Sequence, residues 1–132
     1  MSVAYVDTSC IAAIALQENG YKQLARDLLR YDELFASNLL EAELRSTLRR
    51  ERITADPAGL LGPFTWVYPD RALTPEFSEI LEIAFIRGAD LWHLANALFI
   101  SPDRRIDFLT LDTRQREISL RLGFGPTAKD LR

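Results

Sequence analysis

The sequence predicts an α/β fold in which helices cover both faces of a parallel sheet. Short apolar runs alternate along the chain with longer segments whose apolar residues recur every three or four positions, the pattern of strands alternating with amphipathic helices. The first run, Val3–Val6, is apolar at four consecutive positions, as expected of a strand buried on both faces. We find no linker, repeat or low-complexity tract, so residues 1–132 are expected to form one domain.

Composition narrows the possible classes of protein. Cys10 is the only cysteine, so an intrachain disulfide is impossible and a cytoplasmic location is expected. The apolar N-terminal residues are interrupted by Asp7 and Glu18, and no basic segment precedes them. Neither a signal peptide nor a membrane span is therefore expected. The net charge of −3 argues against broad, unspecific binding of nucleic acid.

Two helices, a strand and a third helix are predicted after the first strand. A short apolar helix over residues 10–16 is expected to stop at Asn19-Gly20, a common C-terminal signal. Residues 21–30 have helical apolar spacing, and residues 34–36 form a short apolar run. Ser37-Asn38 then caps a helix that runs to about residue 52. The apolar stripe of this helix is Leu40, Leu44 and Leu48.

The middle of the chain is rich in turn residues. Residues 56–63 hold two prolines and two glycines, which predicts a short helix between turns. A strand is predicted over residues 66–68 and is closed by Pro69. Thr74-Pro75 places a cap residue before a proline at the first helical position. The helix that follows is expected to end at Gly88, with an apolar stripe formed by Phe77, Ile80, Leu81, Ala84 and Phe85.

The last third of the chain repeats the arrangement of the first strand. A helix is predicted to begin at Asp90, with Leu91, Leu94, Ala95 and Leu98 facing inward. Residues 107–111 form the last clear strand, and Asp112-Thr113 follows it as Asp7-Thr8 follows the first strand. A helix then runs to Leu122 and stops at Gly123. The tail from Pro126 is a candidate edge strand.

Four carboxylates lie at the ends of predicted elements. Asp7 and Asp112 each follow a strand, and parallel strands bring such residues to one edge of the sheet. Glu43 lies early in its helix and Asp90 at the start of another. If those helices begin at the same edge, the four carboxylates converge and repel one another. A divalent cation offsets that repulsion, and hard oxygen ligands suit Mg²⁺ or Mn²⁺. Such a site can activate water and clamp a phosphoryl group.

Each carboxylate also has a purely structural interpretation. Asp7, Asp90 and Asp112 all lie where an ordinary helix N-cap would lie. Glu41 competes with Glu43, since Glu41 follows Asn38 by three residues and could complete a capping box. Glu41 also precedes Arg45 by four residues, which predicts a surface ion pair. These roles favour Glu43 as the ligand, but spacing alone leaves the choice open.

Other residues near these acids have two possible roles. His93 follows Asp90 by one helical turn and could carry a proton, although a packed histidine bonded to backbone is favoured. Thr110 is either a donor beside the carboxylates or a simple strand former. Ser9 could act near Asp7 or merely cap a helix. The basic run of Arg45, Arg49, Arg50 and Arg52 is an exposed face that could also follow an RNA backbone.

The chain resembles the PIN-domain ribonucleases and, within them, the VapC-like toxins of toxin–antitoxin pairs. The matching segments are residues 5–9 (YVDTS), 39–45 (LLEAELR), 90–95 (DLWHLA) and 109–112 (LTLD), with Leu122-Gly123 behind them. The resemblance implies a five-stranded parallel sheet in a three-layer α/β/α fold, with Asp7, Glu43, Asp90 and Asp112 holding Mg²⁺ or Mn²⁺. It also implies an RNA substrate, a homodimer and a cognate antitoxin. Trp92 and Leu39-Leu40 depart from the expected pattern, but none is an expected ligand.

Two further functions remain open from the residues. A degenerate PIN-like module could bind RNA or protein without catalysis, and the loss of one acid would favour it; all four acids are present. A phosphotransfer domain with Asp7 as nucleophile needs a lysine near the strand ends. The only lysines, Lys22 and Lys129, follow no clear strand, so this function ranks last.

Overall fold

The computed structural model describes residues 1–126, which form an α/β fold with four strands and seven helices, as the sequence predicts in outline. The strands are β1 (Val3–Val6), β2 (Glu33–Ser37), β3 (Phe64–Val67) and β4 (Asp107–Leu109). The helices are α1 (Thr8–Ala15), α2 (Tyr21–Leu29), α3 (Leu39–Arg50), α4 (Ala58–Leu61), α5 (Thr74–Ile83), α6 (Gly88–Ile100) and α7 (Thr113–Arg121).

The sheet is parallel throughout and has the order β3-β2-β1-β4. β1 is a central strand, which explains its uninterrupted apolar sequence: Tyr5 pairs with Phe35 on one side and with Phe108 on the other. The backbone amide of Asp7 donates to the carbonyl of Leu109 at 3.0 Å and continues this pairing past the end of β1. The carboxyl ends of the strands therefore lie along one edge of the sheet.

Alternation along β1 divides the apolar interior into two cores, one on each face of the sheet. Tyr5 points into a core that it shares with residues of α5, α6 and α7. Ala4 and Val6 point into the opposite core, which contains residues of α1 and the predicted leucine stripe of α3. Helices thus cover both faces of the sheet in the predicted three-layer arrangement, and the carboxyl edge of the sheet lies between the two layers of helices.

The predicted number of strands is wrong for the part of the chain that the structure describes, because within residues 1–126 the sheet has four strands and not five. Gly125 makes a single parallel bridge to Asp107, and its carbonyl accepts from the amide of Phe108 at 2.7 Å. Pro126, where the fifth strand was expected to begin, has no amide N–H to continue a ladder. The rest of that predicted strand, residues 127–132, lies outside the described residues.

Three residues predicted to mark helix ends have other positions. Gly20 does not end α1, which stops at Ala15; it has a φ of +87° and precedes α2. Gly88 does not end α5 but begins α6, because α5 stops at Ile83 and Ala84 is fully extended. Thr74 is the first residue of α5 rather than its cap.

Two residues of the apolar stripe predicted for α5 are exposed. Ile80 is fully buried as predicted, whereas Leu81 and Phe85 are 46% and 73% exposed. Their helical spacing suggested a continuous stripe, but the chain leaves the helix before Phe85.

Among the described residues, no single helix has the length and apolar composition that would span a membrane. α5 and α6 meet those requirements only when taken together, and a bend of 114° separates them.

Candidate functional site

Asp7 is buried at the end of β1, and both oxygens of its carboxylate accept hydrogen bonds. Oδ1 accepts from the Ser9 amide at 3.1 Å and from the Ser9 hydroxyl at 2.6 Å, and Oδ2 accepts from the Thr110 hydroxyl at 2.7 Å. The bond to the Ser9 amide makes Asp7 the N-cap of α1, as predicted. Burial raises the pKa of the Asp7 carboxyl above its usual range, and the two hydroxyl bonds partly offset that rise. Asp7 is therefore held more firmly than a cap requires.

Glu43 lies in the second turn of α3 and points towards α1 and α6. Its Oε1 accepts from the Thr8 hydroxyl at 2.6 Å and lies 3.0 Å from Nε2 of His93. The hydrogen bond with His93 is the main reason why the pKa of the Glu43 carboxyl is below its usual range. Glu43 is thus an ionised carboxylate with a defined orientation.

His93 connects Glu43 to the interior of the sheet through Tyr5. The Tyr5 hydroxyl lies 2.8 Å from Nδ1 of His93 and accepts from the Ser37 amide at 3.2 Å. Burial raises the pKa of the Tyr5 phenol, so the hydroxyl keeps its proton. Since its oxygen already accepts from Ser37, that proton is available to Nδ1, which leaves Nε2 to donate to Glu43. His93 is buried as predicted, but the prediction that it bonds to backbone is wrong.

Asp90 and Asp112 line one cavity of about 360 Å³ at the same edge. Asp112 is the N-cap of α7, and its Oδ1 accepts from the Gln115 amide at 2.8 Å. Asp90 is the third residue of α6, so the alternative interpretation of Asp90 as a helix cap is wrong; Arg87 occupies the cap position. Burial raises the pKa of the Asp90 carboxyl, and the negative charge of Asp112 raises it further.

Gln115 is a residue of this edge that sequence reasoning missed. It is fully buried, and its side-chain amide donates to the backbone carbonyl of Asp90 at 3.1 Å. The Thr110 hydroxyl lies 3.2 Å from Oε1 of Gln115 and accepts from the Asp112 amide at 3.0 Å. Asp112 and Gln115 have the spacing of a capping box, which is the signal that could have identified Gln115.

Glu41 and Glu43 have different contacts in the structure. Glu41 forms the predicted surface pair with Arg45, at 2.7 Å. Asn38 makes no side-chain cap bond, so the predicted capping box is absent.

Two further predictions are confirmed. The arginines of the basic run are all exposed, namely Arg45, Arg49, Arg50 and Arg52. Cys10 is buried.

The four carboxylates influence one another without enclosing a position between them. Within residues 1–126, no group of three or more His, Cys, Asp and Glu side chains lies close enough together to hold a metal ion. The charge of Asp90 nevertheless raises the pKa of Asp7, and Asp112 and Glu43 raise that of Asp90. Oxygen ligands under mutual repulsion fit a hard divalent cation in their chemistry.

Comparison with known protein families identifies the family of this chain. Residues 4–120 match the family described as PIN domain, and that range contains Asp7, Glu43, Asp90 and Asp112. No curated protein matches the chain.

Proposed function

This chain belongs to the PIN-domain family, whose members are generally nucleases, and we propose that it is a metal-dependent endoribonuclease. It would hydrolyse phosphodiester bonds of RNA and act as the VapC-like toxin of a toxin–antitoxin pair. The observation that carries the proposal is that carboxylates from four different parts of the chain lie near the carboxyl edge of the sheet, where the charges of neighbouring acids raise the pKa values of Asp7 and Asp90. Ligand and catalytic sites of open α/β sheets lie at this edge.

The proposed metal ligands are Asp7, Glu43, Asp90 and Asp112, and the proposed ion is Mg²⁺ or Mn²⁺. Such an ion would supply an activated water and offset the negative charge of the scissile phosphate. The raised pKa of Asp90 beside Asp112 supports this assignment, because a cation at this edge would relieve the repulsion that raises it.

The surrounding side chains would orient the ligands before any ion or RNA is bound. Ser9 and Thr110 donate to Asp7, while Thr8 and His93 hold Glu43. Partners of this kind fix the direction of a ligating carboxylate, and losing one typically weakens metal binding or activity about 10- to 100-fold.

The proposed partners are an antitoxin and a second copy of the chain. Both rest on the resemblance of the segments around Asp7, Glu43, Asp90 and Asp112 to VapC-like toxins. An antitoxin could silence the enzyme by placing a basic or aromatic segment over the acidic edge, which is the part of the carboxyl edge that holds Asp7, Glu43, Asp90 and Asp112. Charges of opposite sign would attract each other there.

A cytoplasmic location is part of the proposal, since the only cysteine is buried and reduced.

The alternative is a PIN-like module that binds RNA or protein without cleaving it. The bonds made by Asp7 and Glu43 argue against this alternative, because a module without catalysis has no need to hold two carboxylates at one edge.

The test is cleavage of single-stranded RNA by the purified protein with Mn²⁺ or Mg²⁺, and with EDTA in excess. We expect cleavage only with the ion, and a rise in melting temperature on adding Mn²⁺, since an ion that binds only the folded state stabilises it. Asp7→Asn protein purified in parallel controls for contaminating nucleases. Cleavage that persists in excess EDTA but is absent from the Asp7→Asn preparation would rule out the metal mechanism. RNA binding without cleavage would favour the alternative.

A further inference from the structure

An exposed aromatic side chain lies beside the acidic edge. Phe85 belongs to the irregular segment 84–87 between α5 and α6, and 73% of it is exposed. Ile86, the next residue, is buried in the core that Tyr5 enters. Because Ala84 is extended and Ile86 is anchored inside, the chain turns the Phe85 ring outward.

Phe85 lines the same cavity as Asp90 and Asp112, and two arginines line it as well. Arg114 of α7 donates through Nε and Nη2 to the backbone carbonyl of Phe85, at 3.1 and 2.7 Å. Arg87, the N-cap of α6, is exposed at the cavity, and its positive charge slightly opposes the rise in the pKa of Asp90 that burial and Asp112 cause. The segment that carries Phe85 is thus tied to the helix that follows Asp112.

An exposed ring flanked by guanidinium groups is the combination that binds single-stranded nucleic acid. An aromatic face stacks on an unpaired base, while nearby cations attract the phosphate backbone. In a duplex the bases are stacked on one another, and no face is available to Phe85.

We propose that Phe85 stacks on an unpaired base of the RNA, next to the phosphodiester bond at the carboxylates, with Arg87 contacting the neighbouring phosphate. Phe85 would be a positioning residue that selects single-stranded RNA. The cleavage part of this statement rests on the proposed function, whereas stacking can be tested by binding alone.

Leu81 provides a matched control. It is 46% exposed and lies in the last turn of α5, four residues before Phe85, but it does not line the cavity. A second copy of the chain that covered the end of α5 would contact both side chains, whereas an RNA base at the cavity would contact Phe85.

The experiment measures the binding of a fluorescent single-stranded oligoribonucleotide, in an Asp7→Asn background with Mg²⁺ so that cleavage does not interfere. We expect Phe85→Ala and Phe85→Leu to weaken binding about tenfold, within the range of one base stack. Phe85→Tyr and Phe85→Trp should retain it, and Leu81→Ala should have no effect. The Phe85→Trp protein should lose fluorescence on binding RNA by more than its Phe85 parent does. A duplex of the same sequence should bind equally to all variants.

Three outcomes would overturn the inference. The first is that Phe85→Leu binds as tightly as the parent, which would mean that no π-face is used. The second is that the fluorescence of Phe85→Trp does not respond to RNA. The third is that Phe85→Ala and Leu81→Ala both convert a dimer to a monomer without changing RNA affinity, which would assign the surface to a second copy. If Phe85-dependent binding is found but the unaltered Asp7 enzyme cleaves nothing, the stacking inference holds and the proposed nuclease function fails.

Discussion

The two halves of the acidic edge are built in different ways. In the bonded half, Asp7 and Glu43 accept hydrogen bonds from Ser9, Thr110, Thr8 and His93. In the open half, Asp90 and Asp112 line a cavity, and among the described residues no side chain donates to the Asp90 carboxylate. The difference shows that the fold itself fixes the bonded half, whereas the open half keeps an electrostatic repulsion that only an added positive charge would remove.

The pKa directions follow the same division. The Glu43 carboxyl has a lowered pKa because His93 and Thr8 bond to its ionised form. The Asp90 carboxyl has a raised pKa because burial and Asp112 act against its ionised form without a compensating bond. Asp7 lies between these cases, since burial outweighs its two hydroxyl donors.

The largest expected effect comes from removing the charge of the bonded half. Asp7→Asn keeps an oxygen that can cap α1 and removes the proposed ligand charge, so folding should survive. Cleavage should fall on the order of 10²- to 10³-fold, the scale of losing one electrostatic contact in a transition state. The matched control is Asp56→Asn, since Asp56 accepts from the Ala58 amide at 3.0 Å on an exposed turn. Full activity of Asp7→Asn with a lowered melting temperature would reduce Asp7 to a cap.

The next effect distinguishes Glu43 from Glu41. Glu43→Gln should weaken Mn²⁺ binding about 10- to 100-fold and lower cleavage accordingly. Glu41→Gln is the control on the same helix; it loses only the exposed pair with Arg45, so stability should fall by a few tenths of a kcal/mol, about what such a pair contributes. Isothermal titration with Mn²⁺ and melting curves of both variants decide the matter. Loss of Mn²⁺ binding in Glu41→Gln alone would reverse the assignment.

A third effect tests whether the bonded half depends on the buried pair Tyr5 and His93. Tyr5→Phe leaves the Ser37 amide and Nδ1 of His93 without their partner, so the free energy of unfolding should fall by about 1–2 kcal/mol. Mn²⁺ affinity should fall as well, because His93 then orients Glu43 less firmly. Tyr31→Phe is the control, since the Tyr31 hydroxyl bonds to Asp107 instead. If both variants lose stability and neither loses Mn²⁺ affinity, the Tyr5 hydroxyl serves the fold alone.

The smallest effect concerns the open half, and it is an increase in stability rather than a decrease. Ionising Asp90 in the folded protein costs free energy, because its folded pKa is raised above the unfolded value of about 3.9. Asp90→Asn should therefore raise the free energy of unfolding at neutral pH, by less than about 1 kcal/mol since Asp90 is partly exposed. The gain should vanish below about pH 4, where both states of the parent are protonated. Melting curves from pH 3.5 to 7.5 check this, and a variant that is less stable at every pH would contradict it.

Much of the fold could be predicted because its signals are local. The unbroken apolar sequence of β1 indicated a central strand, and the spacing of Leu40, Leu44 and Leu48 indicated the buried face of α3. Asp7 and Asp112 were recognisable as residues that follow strands and cap helices. Each of these signals acts over a few residues and needs no knowledge of the rest of the chain.

The errors arose where a local signal had two interpretations. Gly88 could end one helix or begin the next, and that choice moved Asp90 from the cap into the first turn of α6. Phe85 matched the helical spacing of α5, but the backbone had already become extended at Ala84. Within the described residues, the predicted fifth strand is represented only by the bridge between Gly125 and Asp107, and Pro126 has no amide N–H to donate to a ladder.

The sequence by itself determined which residue types lie at the ends of the strands and which faces of the helices are apolar. The tertiary structure decided which of those residues form hydrogen bonds with one another. Thr8 and Glu43 are 35 residues apart, His93 is 50 residues from Glu43 and 88 from Tyr5, and Thr110 is 103 residues from Asp7. Periodicity and capping reflect contacts within one or two turns of the backbone. Hydrogen bonds across such separations exist only because the order β3-β2-β1-β4 places the ends of distant strands, and the helices that follow them, at one edge.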